Sequence, residues 1–129
     1  MKSLISVDYV ADITIYQEGI ARRIRNSPHL SWEKVNQSDS PFANWQPFKI
    51  ECYVDPRSHI YIGMFVDGYY DREDYVFLHV YPNVPMWLLE KNVERLIKEI
   101  VGEGEVEIRI PDYLHAVSRG ALKIAGLGK

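Results

Sequence analysis

Residues 48–66, FKIECYVDPRSHIYIGMFV, decide the fold. Two runs rich in β-branched and aromatic residues flank a polar turn that carries Pro56, the pattern of an antiparallel hairpin. Strands are predicted over 48–55 and 59–66, joined by the turn Pro56-Arg57-Ser58. Setting Asp55 opposite His59 puts Ile50, Cys52 and Val54 on one face with Ile60, Ile62, Met64 and Val66. A slip of one residue would split these apolar sets. A third strand, 75–81, follows the Asp67-Gly68 turn signal and the charged run 71–74. Aligning Val66 with Val76, Met64 with Leu78 and Ile62 with Val80 extends the dry face. Its rows read Cys52–Ile62–Val80, Ile50–Met64–Leu78 and Phe48–Val66–Val76. Cys52 is then an inert core thiol with no base or cation beside it.

The opposite face reads Tyr53–Tyr61–Tyr81, Glu51–Gly63–His79 and Lys49–Phe65–Phe77. So many aromatic side chains do not suit a face left to water. Three covers are weighed. One is the N-terminal helix. Another is a second subunit, since aromatic residues are enriched in interface cores and two-fold dimers are the commonest assembly. The third is single-stranded nucleic acid stacked on the rings; it needs cations, finds mainly Lys49, and ranks last. The middle row is more specific. Neighbouring strands lie about 4.8 Å apart, so Glu51 and His79 are predicted to meet over Gly63, directly or through one water or small ligand. Such a pair is either structural, or functional as a small binding pocket or an acid–base pair. The candidate binding residues are Glu51, Tyr53, Tyr61, Gly63, Phe65, His79 and Tyr81; no catalytic or metal-ligating residue is assigned.

Outward from this sheet, Tyr9, Ile13, Tyr16, Ile20 and Ile24 recur at helical spacing and predict a helix over 8–26, with Asp8 as N-cap. Arg22, Arg23 and Arg25 fall in its last turn, where cations suit the negative end of the helix dipole. Residues 31–36 read as a short strand and 37–47 as a polar, turn-rich loop. From 85 to 101 the period is helical, with Met86, Leu89, Val93, Leu96, Ile97 and Ile100 inside and Glu94–Lys98 as an i,i+4 pair outside. Residues 105–110 alternate as a strand, and 111–125 form a last helix. The expected fold is one α+β domain over 1–129. It has an N-terminal helix, an antiparallel meander of three to four strands, then helix–strand–helix, with helices packed on the sheet.

The string Ser38-Asp39-Ser40-Pro41-Phe42-Ala43, between Trp32 and an alternating strand, resembles the first hairpin loop of ubiquitin-conjugating enzymes. A helix before a strand meander is also similar to that fold and to its non-catalytic RWD relatives. Those enzymes place a nucleophilic cysteine after the meander. The one cysteine here, Cys52, lies inside a strand, so no residue role is carried over.

Composition narrows the function classes. A chain of 129 residues with 47% apolar and 26% charged content is a globular domain with a core of its own. One cysteine rules out an internal disulfide and a thiolate metal cluster, and suits a reducing, cytoplasmic setting. No apolar run approaches the roughly 18 residues of a membrane span. The net charge of −3, without a basic stripe, disfavours a duplex-DNA binder. No phosphate loop, dinucleotide fingerprint or nucleophile elbow is present, and no cofactor is expected. The leading expectation is a non-enzymatic interaction or regulatory protein that acts as a homodimer through the aromatic sheet face. The alternatives are a small acid–base hydrolase or lyase using Glu51 and His79, and a single-stranded nucleic-acid binder on the same face.

Overall fold

A computed structural model of the protein describes residues 13–66, 73–80 and 86–109. In chain order it contains β1 (Ile13–Tyr16), α1 (Ile20–Asn26), β2 (Glu33–Val35), two single 3-10 turns (Gln37–Asp39 and Ala43–Trp45), β3 (Ile50–Asp55), β4 (Ile60–Phe65), β5 (Tyr75–His79), α2 (Met86–Ile100) and β6 (Glu107–Arg109). The six strands form one sheet in the order β2-β3-β4-β5-β1-β6, and every neighbouring pair is antiparallel. The described chain is therefore mostly sheet with two helices. The expected N-terminal helix and short meander are corrected by this arrangement; the last expected helix, 111–125, lies outside the described residues.

The correction at the N-terminal end has a local cause. Ile13-Thr14-Ile15-Tyr16 satisfies a helical stripe, yet it is also a β-branched and aromatic run of strand character. The sheet takes it: β1 lies between β5 and β6, with Ile13 and Ile15 buried on one face and Thr14 on the other. Gly19 then turns the chain at φ 71°, a left-handed conformation that a side chain would strain, and only Ile20–Asn26 is helical. Asp8 and Tyr9 lie outside the described residues.

The hairpin register also differs from expectation. β3 and β4 pair Ile50 with Phe65, Cys52 with Gly63 and Asp55 with Ile60, so the even residues of β3 share a face with the odd residues of β4. The loop is one residue longer than the three predicted, because His59 adopts φ 61° and belongs to the turn. Asp55 organises it: its backbone carbonyl accepts from the amides of Ser58 and His59, and its carboxylate accepts from Ser58 Oγ at 2.7 Å and Arg57 Nε at 2.8 Å. Across β4 and β5, Ile62 faces Leu78 where Met64 was expected. That slip of two leaves the faces unchanged.

Each face of the sheet has its own cover. On one face the row Lys34–Tyr53–Ile62–Leu78–Ile13 runs across five strands, and α1 and α2 pack over it with Ile20, Ala21, Ile24, Leu89, Val93, Leu96 and Ile97. On the other face the row Val35–Cys52–Gly63–Phe77–Thr14–Arg109 crosses all six strands. Its cover is the chain between β2 and β3, from which Phe42 and Trp45 are buried against Ile50, Cys52, Phe65 and Phe77. Gln37 pins this segment: its Nε2 donates to the carbonyls of Phe42 and Phe48, and its Oε1 accepts from the amide of Ile50, each at 3.0 Å.

Polar side chains tie the helices down. Gln17, itself buried, pairs with the backbone of Gly102 in both directions, donating at 2.9 Å and accepting at 3.0 Å. Arg23 Nη2 reaches both Gln17 Oε1 at 2.8 Å and the carbonyl of Ile100 at 2.7 Å. The open carbonyl end of α2 is thereby satisfied by side chains from the β1–α1 segment.

Candidate functional site

The predicted site residues divide between the two faces. Glu51 and Tyr53 lie on the helix-covered face, with Lys34 and Arg25; Tyr61, Gly63, Phe65 and His79 lie on the loop-covered face. Glu51 and His79 therefore project from opposite sides of the sheet and do not meet over Gly63. The one-residue difference in register is the whole cause. Tyr81 lies outside the described residues.

On the helix side, Glu51 is a paired carboxylate. It accepts from Tyr53 Oη at 2.9 Å and Lys34 Nζ at 3.3 Å, with Arg25 Nε at 3.9 Å. Burial and then the Glu51 bond push the Tyr53 phenol up to about 12, so it stays a neutral donor. The three arginines of α1 are committed within the chain. Arg22 pairs with Glu73, Arg23 with Gln17 and the Ile100 carbonyl, and Arg25 with Glu51, Glu73 and the Phe65 carbonyl.

On the other side, what approaches Gly63 is the Phe42 ring. A Cβ built on Gly63 would stand 2.7 Å from Phe42 Cε2 and Cζ. Trp45 packs edge-on to Phe42 and to Phe77, at 4.8 Å and 5.3 Å between centroids, and Phe48 packs on Phe65 at 5.8 Å. Phe65 is only 2% exposed, and this aromatic face is enclosed by the chain's own 37–48 segment. His79 is half-buried at its edge, 6.2 Å from the Phe42 ring. Burial pushes the Cys52 thiol up, against a weaker lowering from its contact with Ser40 Oγ at 3.5 Å, so it is not poised as a nucleophile.

A second polar cluster, not anticipated from the sequence, joins the β3–β4 turn to α2. Asp55 is fully buried and also accepts from Arg95 Nη2 at 2.8 Å; Glu99 accepts from Arg57 at 3.0 Å and lies 3.5 Å from Arg95 Nη1. Burial raises the Asp55 carboxyl, but bonds from Ser58, Arg57 and Arg95 outweigh it and hold the group below its ordinary range. Two acids and two arginines neutralise each other here in a structural clamp.

Among the described residues the exposed large apolar side chains are Leu30, Val66, Trp87 and Leu88, and the last two adjoin on the outer side of α2. Trp87 is 65% exposed and Leu88 beside it 37%, whereas Trp32 and Trp45 are packed in. Trp87, Lys91, Glu94 and Lys98 follow one another at spacings of four, three and four, one line along the helix opposite the buried Leu89, Val93, Leu96 and Ile100. The expected Glu94–Lys98 pair is not formed; the i,i+4 ion pair on α2 is Arg95–Glu99. The sequence reading missed this feature, although a tryptophan at a polar-face position is a signal for it.

Among the described residues no helix is long and apolar enough to cross a membrane, and no group of three or more His, Cys, Asp or Glu side chains could hold a metal ion. No family model matches this chain, and comparison with curated proteins and with solved structures returned no significant match.

Proposed function

We propose that this protein is a non-enzymatic interaction protein, regulatory by binding, and that it docks a protein partner on the outer face of α2. The exposure of Trp87 carries this reading. Tryptophan is the residue most enriched at interface hot spots, where an apolar ring is desolvated inside a ring of weaker contacts. Covering the open two-thirds of an indole of about 200 Å² contributes about 3 kcal/mol at 25 cal/mol per Å². Leu88 widens the apolar patch, and Lys91 and Lys98 supply a polar rim. The reading is tested by placing a photo-crosslinking amino acid at position 87 of the full chain in its native cells, with exposed Glu33 on β2 as the control position. Adducts to protein from position 87 and not from 33 support it; no adduct from 87 overturns it.

A further inference from the structure

We infer, resting on the α2 outer face as the interaction surface, that the partner is a second copy of this chain, with the two α2 helices packed antiparallel about a two-fold axis midway between Lys91 and Glu94. The stripe Trp87, Lys91, Glu94, Lys98 has the spacing four, three, four, which reads the same from either end. A two-fold axis at its centre carries each position onto the one at the opposite end. Trp87 then lies over the partner subunit's Lys98, and Lys91 faces the partner subunit's Glu94, each contact occurring twice.

All four contacts are favourable. A lysine ammonium over an indole face is a cation–π contact, and the two inner pairs are of opposite charge. Parallel packing of the same stripe would set Lys91 on Lys91, Glu94 on Glu94 and Lys98 on Lys98, so like charge excludes it. Antiparallel helices also bring opposite dipole ends together. None of Lys91, Glu94 and Lys98 has a side-chain partner among the described residues, so pairing breaks no internal contact. With axes about 8–10 Å apart, side chains of these lengths reach across. The stripe is shorter than a standard interface, and the dimer is a weak one, with a midpoint on the order of tens of micromolar that rises with salt.

Sedimentation velocity of the full chain tests this with Lys91→Glu, Glu94→Lys, the double variant and Trp87→Ala, all at exposed or half-buried positions whose folding circular dichroism checks. Each single charge variant creates two like-charge contacts and should weaken association about tenfold or more. The double variant swaps the charges and should restore it. Mixing the two single variants should give a heterodimer that neither forms alone. Trp87→Ala should weaken association without affecting this charge pattern. A wild type that stays monomeric at about 1 mM, or a dimer indifferent to the charge variants, overturns the inference. Crosslinks from position 87 solely to other proteins would also overturn it while leaving the interaction reading in place; no crosslinks at all would end both.

Discussion

Replacing Gly63 by alanine should destabilise the protein, because the methyl group meets the ring that closes the aromatic face. The added Cβ would lie 2.7 Å from Phe42 Cε2 and Cζ and 3.1 Å from Ile50 Cγ2. Carbon atoms pack best at about 3.5–4.0 Å, so the ring must withdraw by roughly 1 Å. It has little freedom to do so: Phe42 is fully buried, its carbonyl is held by Gln37 and its amide donates to Ser40 Oγ at 3.0 Å. Overpacking of this kind costs about 1–3 kcal/mol. Against it stands the smaller conformational freedom of alanine in the unfolded chain, worth about 0.4–1 kcal/mol. The net expectation is a loss of about 1–2 kcal/mol, read as a lower urea midpoint at unchanged slope. A double-mutant cycle isolates the contact. Phe42→Leu removes ring atoms and leaves space, so Gly63→Ala with Phe42→Leu should be more stable than the sum of the single effects by about 1 kcal/mol. If Gly63→Ala is neutral or stabilising, or if the two changes add, then Phe42 does not seat on Gly63 and the enclosure of this face is wrong.

Three further outcomes follow from the same contacts. Asp55→Asn should cost about 3 kcal/mol, the low end for breaking a buried ion pair because Arg57 and Arg95 both reach solvent. The folded carboxyl titrates below the unfolded one, so its contribution is present above about pH 4 and is lost as pH falls through the folded value. The stability gap between wild type and Asp55→Asn should therefore narrow towards pH 2, and a gap constant from pH 7 to pH 2 would contradict this. Cys52 should react with a thiol reagent only as fast as the 37–48 segment opens, and faster in Gly63→Ala; prompt modification of the native wild type at neutral pH would show that the segment does not cover it. Gln17→Ala leaves the Gly102 amide and Arg23 short of a partner and should cost about 1–3 kcal/mol by thermal unfolding, with no effect on self-association if α2 pairs through its outer face.

Much of the framework was legible: the β3–β4 hairpin, the β5 strand, the β2 strand and the buried stripe of α2 all follow from residue type and period. What misled was the β3–β4 register, chosen so that the aliphatic side chains of both strands gather on a single face. Hydrophobic pattern sets register only where the two faces differ in polarity, and here both are covered. With Ile60, Ile62 and Met64 on one side and Tyr61 and Phe65 on the other, either register buries apolar side chains. The choice fell to turn chemistry, to a buried Asp55 with two arginines and a left-handed His59. His59 at φ 61° has no clear signature in sequence. The loop-borne cover had one. Phe42, Trp45 and Phe48 stand three residues apart in a stretch otherwise polar and turn-rich, and large aromatic side chains in such a segment need something to pack against. Once that segment is laid on the sheet, the surplus of aromatic residues on β4 and β5 needs no second subunit. Among the described residues Trp87 is then the Phe, Tyr or Trp side chain left exposed, and self-association becomes a question about the surface of α2 rather than about the sheet.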